Sequence, residues 1–214
     1  MLELKNITKS YRKNGELIQA LAPFSLNVER GEFVAVRGAS GSGKTTLLLI
    51  AGGLLHPNSG TVKVDKTDLY ALTPNQRSTF RSSMIGFCFQ QYHLVPYLSV
   101  LENILAPTLA HPSLDKRKRA ETLIEQFGLE HRKNHAPGEL SAGEKQRTAL
   151  ARALLLQPHV LLADEITGNL DETNANIVIE ALTNFAADGG AVLLVTHDAD
   201  AANAAQRVIA LDME

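Results

Sequence analysis

The stretch EFVAVRGASGSGKTTLLLI, Glu32 to Ile50, decides the fold. A dense apolar run, Phe33 to Val36, leads straight into glycines and then into the helical run Thr46 to Ile50, giving strand, loop, helix. The loop Gly38-Ala39-Ser40-Gly41-Ser42-Gly43-Lys44-Thr45 matches G-x-x-x-x-G-K-[ST]. Its three glycines let backbone N–H groups turn inward around phosphate oxygens, and the helix that follows, opened by Thr46, points its positive end at the same anion. Lys44 is expected on the β- and γ-phosphates and the Thr45 hydroxyl on magnesium. The plain alternative is a glycine-rich turn, but average residue frequencies give a chance match of about one in a hundred for a chain of this length. The loop alone fixes phosphate binding and leaves GTPases, kinases and ATPases open.

Outward from the loop, Leu2 and Leu4, then Phe24, Leu26 and Val28, then Val62 and Val64 alternate with polar neighbours and predict strands, with Asn14-Gly15 as a turn between the first two. Val160 to Ala163 and Ala191 to Val195 are short and wholly apolar, as strands covered on both faces of a parallel sheet should be. Each ends in polar residues, so Asp164, Glu165 and His197 fall beyond the carboxyl ends of strands, where open parallel sheets collect their chemistry. Between them lies a mainly helical stretch from about Leu98 to Leu156. Its basic run Lys116-Arg117-Lys118-Arg119 is read as a solvated helix face.

The 214 residues suffice for one domain with a buried core, and 44% are hydrophobic. Twenty-one Lys and Arg against 23 Asp and Glu leave a net charge of -2, so no global field draws the chain to nucleic acid or an anionic membrane. The single cysteine, Cys88, excludes an internal disulfide and a multi-thiolate metal site, and reads as a small core residue in a reducing compartment. No apolar run approaches the roughly 20 residues of a membrane span, and the charged, alternating start MLELKNITKSYRK is not read as a signal peptide. Direct membrane insertion is not expected.

Asp164-Glu165 closes the strand Val160 to Ala163, placing one carboxylate to hold magnesium through water and a second beside it. A glutamate there can orient a water for attack on the γ-phosphate, which favours hydrolysis over transfer. Leu140-Ser141-Ala142-Gly143-Glu144 precedes the helical run Lys145 to Leu156, and Ser141 with Glu144 spells a capping box.

Followed in one chain by LLADE, that segment resembles the signature motif of ABC ATPases. The order fits throughout, from residues 38–45 through Gln90, Leu140 to Glu144 and Asp164-Glu165 to His197. IGFCFQQYHLVPYLSVLENI (Ile85 to Ile104) and ADEITGNLD (Ala163 to Asp171) are similar to the small ATPase subunits of lipoprotein-releasing, macrolide-efflux and cell-division systems. The resemblance implies an α/β chain with a P-loop NTPase core and a mainly parallel sheet, an antiparallel β subdomain and a helical subdomain at roughly 98–156, all within one ABC-type ATP-binding domain, 1–214. It implies ATP and Mg2+ as cofactors, with Tyr11 stacking on adenine, Gln90 reaching magnesium and the attacking water, and His197 contacting the γ-phosphate. The less fitting candidate for that glutamine is Gln91. Asn169-Leu170-Asp171 falls where the family's D-loop crosses to the other subunit. Ser141, Gly143 and the adjoining Glu144 would face the γ-phosphate held by a second copy in a head-to-tail homodimer.

Separate transmembrane subunits are the implied partners, on the cytoplasmic face of the inner membrane, with His93 to Leu98 as a docking segment or else an ordinary core-facing loop. A regulatory module of a membrane complex, without transport, is the second reading; a translation or repair ATPase is disfavoured because the chain has neither a second ATPase unit nor a long coiled-coil insertion. Two positions depart from the family pattern. Ala142 stands for glycine, which adds only a methyl group, and Ile166 stands for proline, which is expected to loosen the approach to the D-loop.

Overall fold

A computed structural model of the chain describes residues 1–13, 15–111 and 115–211. It begins with β1 (Leu2–Lys13), β2 (Glu16–Val28), β3 (Phe33–Arg37), α1 (Lys44–Ala51), β4 (Ser59–Val64), β5 (Thr67–Asp68), α2 (Pro74–Met84) and β6 (Ile85–Phe89). It continues with α3 (Val100–Leu105), α4 (Arg117–Gln126), α5 (Ala142–Leu154), β7 (Val160–Asp164), α6 (Glu172–Ala187), β8 (Ala191–Thr196), α7 (Ala199–Asn203) and β9 (Arg207–Ala210). The strands predicted at Leu2, Leu26 and Val62 form an antiparallel sheet in the order β2-β1-β4-β5. Asn14, half of the predicted turn, lies outside the described residues.

The second sheet is parallel, in the order β6-β7-β8-β3-β9. Its central strands are apolar at every position because each face has its own core. Leu161 and Ala163 of β7 and Val192 and Leu194 of β8 point to α3 through α6. Val160, Leu162, Leu193 and Val195 point the other way, to α1 and the antiparallel sheet. Cys88 sits in the first of these cores, fully buried, with its thiol pushed up to about 12 by desolvation, so it is packing and not chemistry.

Register places the site. Phe89 pairs with Asp164, Asp164 with Val195, and Arg37 with Thr196, so these strands end at one edge of the sheet. The next residues along the chain, Gln90, Glu165, His197 and Gly38, therefore leave that edge together.

One expectation is corrected. Arg119 is not on a solvated face: its Nε donates to Leu155 O (3.1 Å) and an Nη to Leu154 O (3.3 Å), satisfying carbonyls at the end of α5. Ile166 in its turn is 2% exposed and packed in the core shared with Leu161 and Val178. Side-chain burial anchors this turn where a proline would restrict it through φ.

Candidate active site

The start of α1 lacks a side-chain cap, so its first-turn N–H groups are free to face a ligand. Gly43, the residue before it, has φ 93°, and a Cβ there would overlap the carbonyl of Ala20 on β2. No other residue type combines that conformation with that close approach. Lys44, only 5% exposed, donates to Gly38 O (2.9 Å) and Ala39 O (2.8 Å) and lies 3.3 Å from Glu165 Oε1. The loop thus folds around its own lysine.

Ser42 Oγ is buried without a hydrogen-bond partner among the described residues. An orphaned hydroxyl in a cradle of backbone donors fits a phosphate oxygen. Ser40, Gly41, Gly43 and Thr46 line the same hollow, of about 340 Å³, as Thr45, Gln90, Asp164 and Glu165. Gly38 and Ala39 line an adjoining hollow with His197. The oxygen donors Thr45, Asp164 and Gln90 suit a hard cation such as magnesium. Gln91 is exposed, so geometry favours Gln90 of the two.

Asp164 is 8% exposed. Burial raises its carboxyl above the ordinary range, and the neighbouring Glu165 charge adds to this, while the Thr45 hydroxyl and Lys44 oppose it. A carboxyl that is harder to ionise when folded costs stability once pH rises above the unfolded value of about 3.9, and the cost grows as pH climbs toward the folded value. Asp164→Asn should therefore raise the melting temperature of the nucleotide-free protein at pH 7, with the difference shrinking at low pH, while weakening magnesium-dependent nucleotide binding. Thermal melts across pH check this, and a lower melting temperature at pH 7 would contradict it.

Glu165 adopts φ 47°, a sparsely populated conformation for a side-chain-bearing residue, held by its N–H donating to Val195 O at 2.9 Å. The turn aims its carboxylate between Lys44 and His197, whose Nδ1 lies 3.0 Å from Oε2. Behind it, Thr167 Oγ1 bonds Asp198 Oδ2 (3.3 Å), tying this loop to the residue after His197. Tyr11 stands apart from these groups on β1, half exposed and opposite the exposed Ile18 of β2, which offers a second apolar surface beside the ring.

Ser141, Gly143 and Glu144 do not line the hollow. Ser141 caps α5, with its Oγ accepting from Glu144 N–H at 3.2 Å. Glu144, placed among nucleotide-contacting residues by the sequence reading, is 7% exposed and engaged at both oxygens, accepting from Ser141 N–H (2.7 Å) and Arg132 Nε (2.8 Å). Burial opposes its ionisation, yet these bonds hold the carboxyl down at about 2. It acts inward, fixing Ser141. Sequence reasoning missed Thr167, two residues past Glu165, and also Ala20 and Asn174, which meet Gly43 and Gly143 only through chain crossings; capping-like spacing from Asp171 to Asn174 was the one available signal.

A phosphate cradle after a parallel strand, with two carboxylates at the end of the next strand but one in the same sheet, defines a P-loop nucleoside triphosphatase. A family model described as ABC transporter matches residues 21–168. The chain is 48% identical over 200 residues to the lipoprotein-releasing system ATP-binding protein LolD 1 of Rhodopirellula baltica, covering 92% of this chain and 87% of that one. It is 39% identical over 212 residues to the macrolide export ATP-binding/permease protein MacB of Chlorobaculum tepidum, covering 99% of this chain and 33% of the longer protein. Among solved structures, the ATP-binding cassette MJ0796 of Methanocaldococcus jannaschii, dimeric and bound to ADP and Pi after hydrolysis, matches with TM-score 0.93 at 39% identity, covering 99% of this chain and 94% of that one. The chain belongs to the ABC transporter family, as an ATPase of the subgroup that includes LolD and MacB.

Proposed function

We propose that this protein hydrolyses ATP between two copies arranged head to tail and passes the resulting closure to separate transmembrane chains, in a system of lipoprotein release or export. The observation that carries the reading is the split of the machinery. Glu165, Lys44 and Gln90 converge on one hollow, while the capped helix start at Ser141 and Gly143 lies outside it. A second copy is the natural source of that helix start, and the dimeric MJ0796 cassettes support the arrangement.

In this mechanism the backbone N–H groups of residues 38–45 bind the phosphates and Lys44 exchanges its loop carbonyls for phosphate oxygens. Magnesium, when bound by Thr45, Asp164 and Gln90, supplies charge stabilisation at the phosphates. Glu165 orients the attacking water and takes its proton, and His197 holds the glutamate's orientation. Tyr11 and Ile18 receive the base.

Among the described residues no helix is long and apolar enough to cross a membrane. Transmembrane partners would reach the chain, on the cytoplasmic face, at the segment after Gln90. Leu94 tucks against the core while Tyr97 is 82% exposed, and buried Asn103 builds the loop by bonding Val95 N–H and the carbonyls of Val95 and Leu98. Beside it Phe87, Ala106, Pro107 and Leu156 line an apolar hollow of about 360 Å³ under exposed Leu109. Affinity purification from detergent-solubilised membranes should recover one integral membrane protein in stoichiometric amount, and Tyr97→Asp with Leu109→Asp should lose it while ATP binding persists. Recovery of soluble partners alone would overturn the coupling.

A further inference from the structure

We infer that Asn174 is a positioning residue that locks the start of α5 to the loop 166–171 of the same chain, so that the group serving the partner's nucleotide and the loop leaving Glu165 move as one body. This rests on the head-to-tail reading above.

Asn174 lies in the first turn of α6, where its backbone N–H donates to the capping Asp171 Oδ1 at 2.8 Å. A side chain in that turn has no structural need to contact another helix, but this one does. Its Nδ2 donates to both carboxylate oxygens of Asp171 (2.9 and 2.8 Å), while its Oδ1 accepts from Arg147 Nη1 of α5 at 3.0 Å. Donor and acceptor ends of one amide therefore hold two different elements. Arg147 Nε is buried without a partner among the described residues, which leaves the bond to Asn174 to orient the guanidinium.

The same amide lies flat on Gly143. A Cβ at that position would overlap Asn174 Oδ1 and Cγ. Gly143 is buried and sits in an ordinary helical first turn, so no positive φ demands glycine there; the neighbour does. Adjacent Ala142, which stands for the family's glycine, is exposed. The amide cannot simply swing aside, since doing so breaks its bonds to Asp171 and Arg147. At its other end the loop is tied to the strand bearing His197 through Thr167 and Asp198. A short, doubly anchored segment thus joins the hollow of one chain to the helix start it would present to another.

The test is a double-mutant cycle on the full chain, with kcat and KM for ATP and the monomer's affinity for a fluorescent ATP analogue as readouts. Gly143→Ala should lower kcat about tenfold, and Asn174→Ala a few-fold, both with analogue affinity unchanged. The pair together should be no worse than Asn174→Ala alone, because the amide that alanine would strike is gone. Losses that multiply would overturn the inference, since Gly143 would then be required for a reason independent of Asn174. If Gly143→Ala does not fold, Asn174→Ala decides alone: a lower kcat at constant KM supports the role, and wild-type kcat overturns it. Failure of the Glu165→Gln chain to dimerise with ATP would instead strike the head-to-tail reading beneath it.

Discussion

Glu165→Gln is expected to lower ATP turnover by about 10²–10⁴-fold, the range a positioned general base contributes, while ATP still binds and the dimer persists. The geometry behind this is specific. Glu165 is the carboxylate at the mouth of the hollow, held in a left-handed turn between Lys44 at 3.3 Å and His197 at 3.0 Å. Glutamine keeps the shape but cannot take a proton from water, and it removes a negative charge that faces the incoming γ-phosphate. Binding should therefore hold or tighten as chemistry stops. Single-turnover hydrolysis with sedimentation in the presence of ATP measures both, and turnover within twofold of wild type would remove Glu165 from its role.

Lys44→Ala should fail earlier, at binding. Lys44 is buried, charged and, among the described residues, satisfied by two loop carbonyls and Glu165. Removing it takes away a charge-assisted bond to phosphate, about 1.5–3 kcal/mol, and also releases Gly38 O and Ala39 O from the group that shapes the loop. A loss of about 10–100-fold in nucleotide affinity follows from the bond alone. Calorimetric titration of the variant with ATP and magnesium is the check, and unchanged affinity would undo the phosphate cradle.

The parts of this protein that were legible in the sequence are those whose causes are local. Val160 to Ala163 and Ala191 to Val195 announced buried parallel strands because both of their faces meet a core. Ser141 and Glu144 announced a cap because a capping box closes within one turn. The parts that were not legible depend on distant segments meeting. Nothing around Ala20 says that its carbonyl will press on Gly43, and nothing around Arg119 says that it will close the end of α5. Ile166 read as a missing proline because its side chain's destination, the core beside Val178, is a tertiary fact. Nothing around Asn174 says that its amide will meet Arg147 of α5.

In the proposed mechanism each hollow is completed by a second copy of the chain. The most direct measurement mixes two inactive variants, Lys44→Ala, which keeps its Ser141 and Gly143 helix start, and Ser141→Arg, which keeps its phosphate loop. Each alone should be nearly inactive. In a head-to-tail pair formed from one of each, the loop of the second faces the helix start of the first, so one site of two is whole. Mixing equal amounts should restore ATP hydrolysis to roughly a quarter of the wild-type rate, because half of random pairs are mixed and each holds one intact site. Activity no higher than the average of the two variants would contradict a shared site.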